Sequence, residues 1–302
     1  MITTVAPAKV NWTLEVLGRR DDGYHEIRTV LQTIELHDEL TLEVGLSEGI
    51  RVTGSQTPPG EDLVVGAADL FVAASGGFGG IDVRVVKRIP LSAGLGGGSS
   101  DAAATLRALQ AAAGTDLSNT DLANLAATLG SDVPFFLRGG AALGQGRGEI
   151  LTQLPEPDPV WLVLVVPAIV IPNKTGTMYA SLADSDFSDG SKTGAFVDRV
   201  RSDHLIPEAL LFNAFERTAF ENFPALGTLH DWMLQAGARS VHLCGAGPSL
   251  FALASGEPEA RAIRARLNRQ RKGERVYVVR TITADEATLI WADTGPPARS
   301  HS

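Results

Sequence analysis

Apolar and polar positions alternate through residues 9–17, with Val10, Trp12, Leu14 and Val16 on one side and Asn11, Thr13 and Glu15 on the other. That two-residue period predicts a strand, and it puts Lys9 on the same side as Asn11. A polar turn, Gly18 to Tyr24, follows and leads into His25. Alternation returns over 27–36 and 39–44, predicting two strands joined around His37-Asp38, and a short strand is expected at 50–52. Residues 55–60 read as a loop from their prolines and glycine. A helix is expected over 63–74, ending at Gly76-Gly77, and a strand over 81–85. Asp101 to Gln110 is rich in strong helix formers and should close at Gly114. Ser118-Asn119-Thr120-Asp121 has the form of a capping box opening a helix that carries Leu122, Leu125, Ala126 and Leu129 and stops at Gly130. Asp132 then stands just before Pro134 and an apolar run, at the entrance to another short helix.

Pro155, Pro157 and Pro159 mark a change of composition, so the chain is divided into residues 1–153, residues 154–293 and a frayed tail, 294–302. The second part opens with a buried strand at 161–166. A mobile loop is expected over 184–194 and helices over 207–220 and 225–236. The pattern closes as a strand at 240–243, a turn at 245–248, a strand at 249–254, a helix at 258–271 and a strand at 275–281. The fold class is α+β in two lobes with ligands in the cleft between them, and the closing strand-turn-strand-helix-strand suits a ferredoxin-like second lobe.

Between the strand at 81–85 and the helix at 101–110 lies Pro90-Leu91-Ser92-Ala93-Gly94-Leu95-Gly96-Gly97-Gly98-Ser99-Ser100. Strand, glycine-rich loop and helix start together make an anion site. Glycines let the backbone approach a ligand closely, and the first-turn N–H groups of a helix have no internal partner. Ser99 and Ser100 add hydroxyls for a phosphate or a metal ion. A Walker A loop would end in Gly-Lys-Ser/Thr, and this one ends in Gly98-Ser99-Ser100-Asp101. A dinucleotide fingerprint would be expected in the first strand–helix unit with an acidic residue about twenty positions on; Asp121 stands at that distance from Asp101 but reads as a helix-start residue.

Composition narrows the setting. The 302 residues are 44% hydrophobic and 20% charged, as in ordinary folded proteins, and are long enough for two domains. A formal charge of −9 argues against general nucleic-acid binding but leaves room for a local basic pocket. One cysteine, Cys244, fits a reducing compartment. With no basic-then-apolar N-terminal segment and no apolar run long enough for a bilayer, a cytoplasmic protein without membrane partners is expected.

Phosphoryl transfer needs a cradle for the donor phosphates, a cation against the moving charge and a carboxylate beside the acceptor hydroxyl. The glycine-rich loop, Lys9 and Asp132 are these three parts. A nearby ammonium favours the ionised form of a carboxylate, as a base requires. Taken singly, Lys9 reads equally as a lysine at a strand end and Asp132 as a helix cap, and spacing alone does not join them.

Resemblance does. Ala6-Pro7-Ala8-Lys9-Val10-Asn11, Asp22-Gly23-Tyr24-His25, Pro90 to Asp101, Gly130-Ser131-Asp132-Val133-Pro134 and Cys244-Gly245-Ala246-Gly247-Pro248, in that order, resemble the GHMP kinase superfamily. The Asp-Gly-Tyr-His element and the loop form Gly-Leu-Gly-Gly-Gly-Ser-Ser-Asp are similar to those members that act on 4-diphosphocytidyl-2-C-methyl-D-erythritol. The resemblance implies a ribosomal-protein-S5-domain-2-like first lobe and a ferredoxin-like second lobe. It implies ATP-dependent phosphorylation of the 2-hydroxyl of the methylerythritol unit, in isoprenoid precursor synthesis. By the same likeness Pro90 to Ser100 hold the ATP phosphates, Asp132 takes the hydroxyl proton, and Lys9 supports both. Asn11, Tyr24 and His25 match positions on the cytidine side. Tyr179 is a further candidate as an aromatic plate over the base; a core tyrosine on a helix is the alternative.

Three departures stand out: Trp12 in place of a smaller apolar residue, Cys244 in place of serine, and Asn213-Ala214-Phe215-Glu216 in place of Asn-Asp-Leu-Glu. No His/Cys pair has metal-ligand spacing, so no dedicated metal site is expected, and Mg²⁺ would arrive with ATP. A monomer or weak homodimer is expected. Another small-molecule kinase of the superfamily, or an ATP-binding sensor without catalysis, remains as an alternative reading of the residues.

Overall fold

The computed structural model describes residues 1–45, 48–76, 79–113, 117–169, 174–270 and 273–292. In chain order the elements of the first half are β1 (Ile2–Arg19), β2 (His25–Val44), β3 (Ile50–Thr53), α1 (Leu63–Ser75), β4 (Ile81–Val86), α2 (Gly97–Ala113), α3 (Asn119–Leu129), α4 (Val133–Phe136), β5 (Ala141–Gln145) and β6 (Ile150–Gln153). The second half contributes β7 (Trp161–Val166), α5 (Lys174–Ala180), α6 (Ser191–Asp203), β8 (Phe212–Asn213), α7 (Glu216–Asn222) and α8 (Pro224–Gln235). It closes with β9 (His242–Leu243), β10 (Leu250–Ala254), α9 (Glu257–Gln270), β11 (Arg275–Arg280), α10 (Ala284–Ala287) and β12 (Ile290–Ala292).

Two sheets organise the chain. The larger runs β12-β1-β2-β4-β3, with β5 and β8 pairing onto β2 and β1 and β6 onto β5. The smaller is β11-β7-β10-β9, antiparallel throughout. Numbered within the second lobe, that order is 4-1-3-2 with helices in both crossovers, the arrangement of a ferredoxin-like unit. The strands β8 and β12, from the second half, both join β1 in the first sheet.

The first sheet is covered on both faces, which explains why β1 is buried over most of its length. Ala6, Leu31, Leu40 and Leu42 pack with α1 to α4 in one core. Ala8, Val10 and Trp12 pack on the other face against Leu162, Leu164 and Phe251 of the second sheet. Trp12 is 1% exposed and meets Phe251 edge-on at 5.7 Å. Burying a large apolar side chain of this kind stabilises by about 1.5–3 kcal/mol. The sequence departure at Trp12 is thus a packing feature of the lobe interface.

Several expected elements take a different form. Residues 27–36 and 39–44 are one strand, β2, because its pairing with β1 absorbs two extra residues at a bulge: Ala8 faces Ile34 whereas Pro7 faces His37. The helix after the loop starts at Gly97, four residues before Asp101, so Gly98, Ser99 and Ser100 are helical. The expected 184–194 loop gives way to α6 from Ser191, where Phe196, Val197 and Val200 form a buried stripe and Glu15 of β1 accepts the Thr193 N–H at 2.7 Å. The expected 207–220 helix is broken: Glu208–Leu210 is a single 3₁₀ turn, β8 occupies Phe212–Asn213, and only Glu216–Asn222 is α-helical. Pairing with β1 outweighs local propensity there. By contrast α1 ends at Gly76 in the left-handed conformation and α3 carries the Ser118–Asp121 capping box, both as expected. Gly114, Gly77 and the tail 294–302 lie outside the described residues.

Candidate active site

Period two puts Lys9 and Asn11 on one side of β1, and the fold turns that side into the wall of a cavity of about 870 Å³. Lys9 Nζ donates to Asn11 Oδ1 at 2.8 Å and lies 3.6 Å from Asp132 Oδ2. Lys9 is 4% exposed, and a buried ammonium without such partners would be costly. Asn11 is itself oriented: its amide donates to Thr29 Oγ1 at 2.8 Å, and Thr29 donates to the Thr13 carbonyl at 2.6 Å. Asp132 stands at the N-cap position of α4, yet its side chain makes no capping hydrogen bond. Its carboxylate is directed to Lys9 instead, with 39% of the side chain exposed.

The glycine-rich loop adjoins this pair. The Lys9 N–H donates to Leu95 O at 3.0 Å, and Pro90 to Ser99 line the same cavity. Ser100 is fully buried, does not line it, and its hydroxyl has no partner among the described residues. Gly94 (φ +83°) has no room for a side chain, since a Cβ would lie 2.3 Å from the Cys244 carbonyl oxygen. That contact brings the second lobe's turn against the loop.

The turn is held by the segment whose role sequence left doubtful. Asn213 Nδ2 donates to Leu243 O at 2.9 Å and Gly245 O at 2.8 Å. Glu216 Oε1 accepts the Leu243 N–H at 3.0 Å and sits 3.1 Å from His242 Nδ1. Phe215 meets the Tyr179 ring edge-on at 4.9 Å. Cys244 is fully buried and burial pushes its thiol up to about 12, so it is a packing residue here. Lys174, at the start of α5, donates to Gly247 O at 2.6 Å and Ser92 O at 3.1 Å, bridging turn and loop. Burial, with Lys9 close by, lowers it to about 8. No periodicity or motif marks Lys174 in sequence.

Aromatic groups line the cavity as well. His25 stacks on Tyr179 with centroids 4.7 Å apart and planes at 23°, and Phe187 flanks it. Burial, and then the Arg19 charge, lower the His25 pKa, which favours the neutral imidazole. Burial, with the Asp132 charge, pushes the Tyr179 phenol up to about 12. Tyr24 is 54% exposed at the cavity edge, and the Arg147 guanidinium lies 4.6 Å from its ring centroid. The local motif has its own logic: Asp22 Oδ1 accepts the Tyr24 N–H at 3.1 Å and Gly23 takes φ +83°, so the turn presents Tyr24 and His25 side by side. Every candidate site residue from sequence except Ser100 therefore borders one cavity. Arg147 and Lys174 border it too and were not foreseen, and so does Phe215 of the segment named as a departure.

Comparison with known proteins identifies the family. Residues 62–140 match the GHMP kinases N terminal domain, and residues 199–273 match the GHMP kinases C terminal family. The 4-diphosphocytidyl-2-C-methyl-D-erythritol kinase of Dehalococcoides mccartyi is 41% identical over 283 residues, covering 93% of this chain and 99% of that protein. The enzyme of the same name from Pelotomaculum thermopropionicum is 41% identical over 285 residues, covering 93% and 98%. A crystal structure of 4-(cytidine 5'-diphospho)-2C-methyl-D-erythritol kinase superposes with a TM-score of 0.80 at 37% identity, covering 92% of this chain and 98% of the other. Homoserine kinase from Cytophaga hutchinsonii shares the fold, with a TM-score of 0.74 at 19% identity over 96% and 97% of the two chains. The chain belongs to the GHMP kinase superfamily, within its 4-diphosphocytidyl-2-C-methyl-D-erythritol kinase family.

Proposed function

We propose that this kinase transfers the γ-phosphoryl group of ATP to the 2-hydroxyl of 4-diphosphocytidyl-2-C-methyl-D-erythritol, giving the 2-phosphate and ADP. The observation that carries this reading is the convergence, in one cavity, of the Lys9–Asp132 pair, a glycine-rich helix start and an aromatic wall. Asp132 accepts the hydroxyl proton as the acceptor oxygen bonds to the γ-phosphorus. The bond from that phosphorus to the bridging oxygen breaks, and ADP leaves with the electron pair. Lys9 offsets the negative charge that the transferred group carries, and Asn11 holds the lysine in place.

In this reading Pro90 to Ser99 receive the ATP phosphates at the N-terminus of α2. Ser99, which borders the cavity beside the loop, would be the hydroxyl to hold a Mg²⁺ carried by those phosphates, and the ion would supply charge neutralisation there. Tyr24, His25 and Tyr179 take the cytosine, with Arg147 beside Tyr24 as a positive charge for the diphosphate. The lobe division at 153/154 belongs to the same proposal, supported by a second sheet drawn wholly from residues 161–280. So does a cytoplasmic setting as a monomer or weak homodimer. Among the described residues no helix is long and apolar enough to cross a membrane.

The test is ADP release from Mg-ATP with the cytidyl substrate, mevalonate, homoserine and galactose in parallel. Turnover confined to the cytidyl compound supports the assignment, and turnover with another acceptor removes it. Tyr24→Ala should raise the KM of the cytidyl substrate about tenfold, because base–aromatic stacking contributes ~1–3 kcal/mol. Its exposed position leaves the fold intact, so the ATP constant is expected to stay put. An unchanged acceptor KM would take Tyr24 out of the site.

A further inference from the structure

The loop assigned to ATP has an anchor that the chemistry above does not use. At its base Asp38, Lys87 and Asp101 are buried together, with side chains 0%, 4% and 4% exposed. Lys87 Nζ donates to Asp38 Oδ2 at 2.5 Å and to Asp101 Oδ2 at 2.7 Å. Asp38 Oδ1 accepts the backbone N–H groups of Arg88 at 2.5 Å and Ile89 at 2.8 Å. Asp38 belongs to β2, Lys87 directly follows β4, and Asp101 lies in the second turn of α2. One lysine therefore ties the residues that enter the loop, through Asp38, to the helix that leaves it.

Stability alone is a poor reason for such a cluster. Burying charged groups costs several kcal/mol each, and apolar side chains of like volume often serve as well or better. Nor is Lys87 a free cation for phosphate. It borders the cavity, but two carboxylates hold its ammonium, and their attraction raises its pKa against the lowering effect of burial. Burial, reinforced by Asp38 and opposed by Lys87, pushes Asp101 up to about 8. Both ends of the loop are thus fixed by one buried group of side chains.

We propose that Asp38, Lys87 and Asp101 are positioning residues: a clamp that holds residues 88–100 in the shape that receives ATP and so sets ATP affinity without acting on the acceptor. The inference rests on the reading that this loop holds the ATP phosphates. Pre-forming a loop removes the ordering cost that binding would otherwise carry.

The experiment uses the full chain as wild type, Lys87→Met and Lys87→Met/Asp38→Asn. Binding of a non-hydrolysable ATP analogue with Mg²⁺ is measured by calorimetry with no acceptor present, followed by KM for ATP and for the acceptor. Thermal unfolding serves as the check on folding. Lys87→Met is expected to weaken the analogue and raise the ATP KM by about tenfold or more, with the acceptor KM held within about twofold. Should Lys87→Met leave two facing carboxylates that prevent folding, the double variant keeps only one of them and carries the same expectation. A folded variant with wild-type analogue affinity overturns the clamp, as does a parallel rise in both KM values. Wild-type protein that fails to bind the analogue removes the loop reading itself, whereas normal wild-type binding with an indifferent variant removes only the clamp.

Discussion

Asp132→Asn is expected to lower kcat by about 10²–10⁴-fold, the usual worth of a positioned general base. The substitution keeps the size and shape of the side chain and deletes only its capacity to take a proton. It should also leave the fold alone, because Asp132 makes no capping hydrogen bond to α4 and its main partner is Lys9. Calorimetric titration with an ATP analogue is therefore expected to give a near-wild-type Kd, while steady-state turnover collapses. Loss of binding in step with loss of turnover would assign Asp132 a structural part and remove it as the base.

Lys9→Met should cost about 10²–10³-fold in kcat, as removal of one preorganised charge stabiliser does elsewhere. Methionine occupies similar volume in a position that is 4% exposed, so the packing around β1 is retained. Asn11 loses the donor that satisfies its Oδ1, a penalty of about 1 kcal/mol or somewhat more. The double variant Lys9→Met/Asp132→Asn is expected to be scarcely worse than the poorer single variant, because groups acting as one unit are not additive. Steady-state kinetics on all three proteins decides it. Effects that multiply would show that Lys9 and Asp132 act independently, and the 3.6 Å contact would lose its meaning for catalysis.

The comparison with Lys87 sharpens the point. Lys9 and Lys87 are both buried lysines facing carboxylates along the same cavity. Lys9 has a neutral amide and one partly exposed aspartate, whereas Lys87 has two buried aspartates. The first arrangement leaves positive charge available to a ligand, and the second consumes it. The expected signatures divide accordingly, with Lys9→Met acting on kcat and Lys87→Met acting on the ATP constants.

Sequence alone determined the pieces that depend on neighbours along the chain. The alternation around Lys9 and Asn11 dictated that both point the same way, and the Lys9–Asn11 hydrogen bond follows from that period. The Asp22-Gly23 turn dictated that Tyr24 and His25 emerge together, and the run from Pro90 to Ser100 announced a glycine-rich loop that opens a helix. Ordered motifs supplied the family. The tertiary structure decided what depends on residues far apart in the chain. It carried Asp132 to Lys9, 123 positions away, and made β2 one strand by a bulge against β1. It took Phe212 and Asn213 from an apparent helix into the first sheet. Lys174 and Arg147 have no local signature, because their importance lies wholly in the partners that folding brings to them. The same holds for the Asp38–Lys87–Asp101 cluster, in which three separate segments meet around one ammonium: a period or a cap is written in adjacent residues, whereas a buried charge is balanced only once the chain has closed around it.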